Sequence, residues 1–350
     1  MSGAPSLPDR AKPIAALTLA ALAGWLFSLL NSPLPWLIGP MLTVAAAQML
    51  GADLHVPRGL RFGGQWIVGG AIGLYFTPPV LAMLPSLLPW IILGLAASIL
   101  LSMLAAKVLA HYAGIDPVTA LYASFLGGAA EMANLAERCG ALVDRVAAAQ
   151  SVRIILVVVL IPFAFRWADL HGADSYATAS LVFDAPGFVL LMGVTFAAGL
   201  VCHLLRMPNA WLVGPVFASI ALNAAGHASS IMPVALVDVA QVLIGCSLGT
   251  KFSREFFHAA PRFMLVSTLC SAAVLLGSSL GAVILGWLAG LPAPTLILGM
   301  APGGIAEMSL TAGLLQLGVP VVVAFQLTRL LVVVSSASLM HRVAMRWLLR

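Results

Sequence analysis

Apolar residues fill long runs along this chain, each about the length needed to cross a bilayer, and polar residues gather in the short stretches between them. The runs predict helices at 13–30, 34–50, 62–78, 86–110 and 145–165. A second set follows at 187–205, 209–225, 235–250, 262–290 and 319–340. The implied fold is an all-α polytopic membrane protein.

The chain is written twice. Shifting it by 176 positions, the interval from Glu131 to Glu307, lays Gln65 on Gln241, Gly69 on Gly245, Gly73 on Gly249 and Thr119 on Thr295. The same shift lays Gly127, Gly128, Glu131 and Met132 on Gly303, Gly304, Glu307 and Met308, then Gln150 and Arg153 on Gln326 and Arg329. Upstream, PWLIGP at 35–40 aligns with AWLVGP at 210–215. The halves are therefore a first membrane repeat at 13–165, an extracytoplasmic linker at 166–186 and a second repeat at 187–340.

Loop charges give the halves opposite orientations, because Lys and Arg of short loops favour the cytoplasmic side. Arg58 and Arg61 follow the second predicted helix, where the matching loop at 226–234 has only His227. The stretch TPPVLAMLP after the third is uncharged, whereas its counterpart carries Lys251, Arg254 and Arg262. Lys107, after the fourth, faces the uncharged GLPAPT. Inversion needs an odd number of crossings per repeat. Five satisfy it if the segments 116–138 and 294–316 enter and leave on one side. A rival assignment makes these segments broken crossing helices. Under the first assignment both termini are cytoplasmic, with His341, Arg342, Arg346 and Arg350 inside, and the loop with Asp169, Asp174 and Asp184 lies outside.

Composition agrees with a lipid environment: 61% of the 350 residues are hydrophobic, 8% are charged, and mean hydropathy is +1.06. A bacterial-type inner membrane is the expected location. The first run follows Asp9, Arg10 and Lys12 like a signal peptide, yet no small-residue cleavage site leads into a polar domain, so it is counted as a span. The net charge of +5 sits at span ends and short loops, which fits topology and not a nucleic-acid footprint. Cys139, Cys202, Cys246 and Cys270 show no CxxC spacing and are expected as reduced thiols in lipid-buried helices. No two of the seven histidines lie three or four apart, which argues against a metal site on one helix and leaves one assembled across helices open. No metal or cofactor is expected.

The candidate chemistry lies in GGAAEM at 127–132 and GGIAEM at 303–308. Non-helical backbone survives at membrane depth only where protein or a water-filled cavity surrounds it. Adjacent glycines break a helix and let other groups approach the backbone. Each segment thus predicts a helix, a break and a second short helix with Glu131 or Glu307 in its first turn. Its free N–H groups suit an anion. Inverted repeats bring two such breaks together near the midplane, as in secondary transporters. The expected binding residues are Gly127, Gly128, Glu131, Asn134, Gln150 and Arg153 in one half. In the other they are Gly303, Gly304, Glu307, Ser309, Gln326 and Arg329, with Gln65 and Gln241 as weaker members. Arg153 is the expected partner of Glu131, and Arg329 of Glu307. Each Glu could instead cap its helix, each Arg could be structural, and Gln65 and Gln241 could make interhelical hydrogen bonds. The pairs Gly69/Gly73, Gly245/Gly249 and Gly277/Gly281 have helix-contact spacing, and Trp36 and Trp211 carry no assigned chemistry.

On these residues the chain resembles the AbrB-type duplicated membrane protein family, whose halves each carry WLxGP, Q-x3-G-x3-G and GG-x-AEM. The likeness covers roughly residues 15 to 340. Members carry names implying ammonia monooxygenase activity or regulation of gene expression. This sequence has neither a helix-borne metal cluster nor a DNA-reading module. The five-span inverted repeats are also similar to the citrate and glutamate symporter class with re-entrant hairpins. The Pro-Gly-Gly break is similar to that of the bile-acid symporter group. These likenesses imply a secondary transporter of a small anionic solute, coupled to H+ or Na+, and homodimers that pair through scaffold spans. A membrane-embedded regulator or sensor without transport is the alternative.

Overall fold

A computed structural model describes residues 11–52, 54–172, 182–227, 230–252 and 261–348. Asp9, Arg10, Asp174, Arg254 and Arg350, named above, and His258, one of the seven histidines, lie outside the described residues. Among the described residues every regular element is helical. The first half gives α1 (Ala11–Leu29), α2 (Pro35–Met49), α3 (Arg58–Gly73), α4 (Pro78–Ala113), α5 (Pro117–Ser124), α6 (Ala129–Arg138) and α7 (Val143–Trp167). The second gives α8 (Ala185–Leu204), α9 (Ala210–Ala224), α10 (Val234–Gly249), α11 (Pro261–Ala289), α12 (Ala293–Met300), α13 (Ile305–Leu314), α14 (Val319–Ser335) and α15 (Ala337–Leu348).

Among the described residues five helices, α1, α4, α7, α8 and α11, are long and apolar enough to cross a membrane, and α14 with α15 would make a sixth if the bent pair is one span. The other predicted spans are shorter. Helices α2, α3, α9 and α10 have 15, 16, 15 and 16 residues, and at 1.5 Å per residue they reach about 22–24 Å against roughly 30 Å of hydrocarbon. Their apolar runs continue into flanking turns. Leu34 and Asn209 take the left-handed conformation just before α2 and α9, and Pro57 and Pro233 cap α3 and α10.

Two further boundaries differ from the sequence pattern. The stretch 78–85, expected as an uncharged loop, forms the opening turns of α4, whose 36 residues accommodate Pro85 and Pro89. The run 319–340 ends at Ser335, and the chain then bends by 81° into α15. That helix is amphipathic, with Arg342 and Arg346 exposed. Cys139 caps the end of α6 and is exposed, whereas Cys246 and Cys270 are buried in α10 and α11.

The chain forms two compact units, one of Met1–Thr77 with Thr178–Ala259, the other of Pro78–Ala177 with Ala260–Arg350. Each sequence half therefore contributes its first three helices to one unit and the rest to the other.

In the first unit, α3 packs on α9 and α10 on α2. A Cβ at Gly69 would stand 2.6 Å from the Leu212 carbonyl oxygen, and one at Gly249 would stand 2.7 Å from that of Met41. Gly73 and Gly245 abut Ser219 and the Leu37 carbonyl in the same way. The first two GxxxG pairs are thus close helix contacts, each reaching a helix of the opposite half. In the second unit, α4 packs on α11, α5 and α6 on α7, and α12 and α13 on α14.

Candidate functional site

Both glycine-pair segments fold as helix, break, helix. The chain leaves α5 at Phe125 and re-enters a helix at Ala129; it leaves α12 at Ala301 and re-enters at Ile305. A short helix that stops inside a protein leaves carbonyls without intrahelical partners. In an apolar setting each must be bonded by something else.

The following long helix supplies those bonds, twice over and by the same residues. From α7, Gln150 Nε2 donates to the carbonyls of Tyr122 (2.8 Å) and Phe125 (3.1 Å). Arg153 donates from Nη1 to Phe125 (2.7 Å) and from Nη2 to Gly127 (3.1 Å). From α14, Gln326 Nε2 donates to the carbonyls of Leu298 (2.9 Å) and Ala301 (3.2 Å). Arg329 donates to Ala301 (2.7 Å) and Gly303 (3.0 Å). Each acceptor in one half is the residue 176 positions from its counterpart. Thr119 and Thr295 repeat likewise, their hydroxyls accepting from the Leu142 and Gly318 amides at 2.9 and 3.3 Å.

The glycines, glutamate and methionine of each motif explain one another. Gly128 and Gly304 have φ of −64° and −84°, values open to any residue. What glycine supplies is space: Glu131 and Glu307 fold back so that their carboxylates occupy the place of a Cβ on Gly128 and Gly304. There each charge faces the positive end of its own helix. Gly127 and Gly303 are covered by Met132 and Met308, and Gly303 also by Val157 of α7, each contact with Met308 and Val157 at 3.0 Å from the Cβ position.

The expected Arg–Glu pairs do not form through hydrogen bonds of the arginines, which go to carbonyls and, for Arg329, also to Gln326 Oε1. A planar guanidinium fork fits several converging carbonyls better than a carboxylate folded over a helix start. Arg153 is 4% exposed and Arg329 7%. The second break touches α7, the helix that carries Arg153, through Val157 beside Gly303.

Glu307 and Ser309 are buried, Glu131 is half-buried and Asn134 is exposed. Gln65 and Gln241 belong to the first unit, where they donate to Asn209 Oδ1 (2.8 Å) and Asp238 Oδ1 (3.2 Å). Among the described residues of the second unit, four buried polar side-chain atoms have no hydrogen-bond partner: Ser124 Oγ, Gln150 Oε1, Arg153 Nε and Ser309 Oγ. Ser124 was not singled out by sequence reasoning. Its signal was a hydroxyl standing where the other half has Met300.

Residues 36–345 match the family described as AbrB, Transition state regulatory protein AbrB. The chain is 28% identical to Uncharacterized protein YhjN of Bacillus subtilis (strain 168), over 91% of this chain and 89% of that protein. It is 26% identical to "Putative regulator AbrB" of Escherichia coli (strain K12), over 87% and 88%. With the family match running through both repeats and both helix breaks, the chain belongs to the AbrB family.

Proposed function

We propose that this protein is a secondary transporter that moves a small anionic solute across the inner membrane by alternating access, coupled to H+ or Na+. The observation that carries this reading is the pair of buried arginines at the two helix breaks, whose hydrogen bonds go to carbonyls. Ionisable groups at membrane depth are expensive and are kept where a function needs them. Two guanidinium groups beside two helix N-termini form a positive locus suited to a carboxylate or other anion. The opposed loop charges support five-span halves of inverted topology, with the breaks serving as the moving elements and both termini cytoplasmic. On this reading the glutamates, held at helix starts, are the groups through which a proton or cation enters the cycle, and the chain is a carrier and not an enzyme.

Flux into proteoliposomes tests it. Wild-type protein should accumulate a labelled carboxylate under an imposed proton or sodium gradient, and Glu131→Gln with Glu307→Gln should uncouple accumulation from the gradient. Undiminished coupled transport in both variants would refute the role of the glutamates. A membrane-embedded regulator is the second reading, supported by the name of the Escherichia coli relative and the family description. Saturable ligand binding with no flux under any gradient would favour it.

A further inference from the structure

The duplicated network is symmetric in its hydrogen bonds but not in what surrounds it. Beside the first break, a pocket is lined by Ser124, Arg153, Ser267, Cys270 and Ser271, with Leu109 and neighbouring apolar side chains behind them. Two of its polar atoms, Arg153 Nε and Ser124 Oγ, are buried without a partner. Ser267 and Ser271 are buried on α11, one turn apart. The space is about that of one water, so a halide fits once the side chains lining it move outward by a few tenths of an ångström.

The matching place in the second half is filled. By the same shift, Ser124 corresponds to Met300, Ser267 to Ile91, Cys270 to Gly94, Ser271 to Leu95, and Ala149 to Phe325. Met300, Phe325 and Ile91 belong to one apolar core cluster with Leu87 and Leu285. Phe325 and Met300 crowd Gly94 so closely that a Cβ there would stand 2.9 Å from Phe325 Cε1 and 3.4 Å from Met300 Sδ. Relative to that half, four of these five differences in the first half remove bulk, and three of the four put a hydroxyl in place of an apolar side chain; Cys270 adds bulk over Gly94, and Val274, also on the lining, stands where the second half has Ser98. Divergence limited to loosening would leave an apolar hole. Here the hole is lined by hydroxyls and a cationic N–H.

We infer that the first break holds a binding site for a compact monovalent anion of halide size, bound by Arg153 Nε–H and the hydroxyls of Ser124, Ser267 and Ser271. The second break is its structural counterpart and binds none. The Arg153 Nε–H can only donate, hydroxyls rotate to donate, and the positive charge of Arg153 selects an anion over water or a cation. The anion's part in transport rests on the carrier reading above; its binding does not.

The test uses purified full-length protein in lipid nanodiscs at constant ionic strength, with gluconate replaced stepwise by chloride or bromide. A ligand of the folded state raises the unfolding midpoint saturably. Wild type should respond to chloride and bromide and not to gluconate. Ser124→Met and Ser271→Leu, which install the second half's residues, should keep the midpoint in gluconate and weaken the apparent halide affinity at least tenfold. Equal behaviour of wild type in chloride and gluconate overturns the site, as does a full response in both variants. Should the variants misfold, chloride-35 NMR on wild type decides: line broadening abolished by excess bromide supports the site, and its absence refutes it. Halide binding without flux would sink the carrier reading alone, and flux without halide binding would sink this site alone.

Discussion

Replacing Gly304 by alanine isolates the reason this motif pairs glycine with glutamate. The backbone at φ −84° accepts alanine without strain, so the substitution should stabilise by about 0.4–1 kcal/mol through the unfolded chain if nothing opposes it. The new Cβ, however, falls on the Glu307 carboxylate, with Cδ at 2.9 Å and Oε1 at 3.3 Å. The carboxylate must swing away from its helix start, losing a charge–dipole interaction of about 0.3–1 kcal/mol, rising toward ~2 where partly buried. The terms nearly cancel in the wild-type background. In a Glu307→Ala background only the first remains, and Gly304→Ala becomes stabilising. The double-mutant coupling should therefore be about 1 kcal/mol. Reversible unfolding in mixed micelles, followed by circular dichroism for the four proteins, measures it. The Gly128 and Glu131 cycle should show the same sign with a smaller coupling, because Glu131 is only half-buried. A coupling of zero in both halves would mean that the glycines serve the break itself and that the folded-back carboxylates contribute nothing.

Gln326→Leu removes a donor shared by the Leu298 and Ala301 carbonyls. It should destabilise by about 1–3 kcal/mol, read as a lowered thermal midpoint, because Leu298 loses a buried partner. Gly69→Ala should cost about 1–3 kcal/mol by overpacking against the Leu212 carbonyl 2.6 Å away. In the same helix Gly63→Ala meets nothing within 4 Å and should stabilise by about 0.5–1 kcal/mol; equal shifts in the same assay would refute the close contact.

The sequence made the helix–break–helix units readable because two adjacent glycines inside an apolar run, preceded by Pro302 in one copy, leave few alternatives. The same rare polar residues at the same interval also marked Gln150, Arg153, Gln326 and Arg329 as belonging with the breaks. Their partners were not readable. The expectation of Arg–Glu pairs came from matching opposite charges, whereas the stronger local demand was for donors to the carbonyls of Phe125, Gly127, Ala301 and Gly303. Hydropathy carries no information on where such carbonyls point. It also overran both ends of α2 and α9 and the C-terminal ends of α3 and α10, since an apolar residue in a left-handed turn, such as Leu34, scores like one in a helix. Nor did the order of the halves foretell the compact units, because packing joins helices across the duplication.

The arginines are more than the breaks require. The Phe125 carbonyl accepts from Gln150 at 3.1 Å as well as from Arg153 at 2.7 Å, and the Ala301 carbonyl from Gln326 at 3.2 Å as well as from Arg329 at 2.7 Å. Neutral donors would satisfy the remaining carbonyls of Gly127 and Gly303 without the penalty of burying two charges. A purely structural break would therefore shed that charge. Its presence in both copies means that something in the working protein balances it. The folded-back glutamates account for part of that balance at the helix starts. On the reading proposed above, the hydroxyl-lined side of Arg153, whose counterpart in the second copy is filled by Met300 and Phe325, is where a bound anion would complete it.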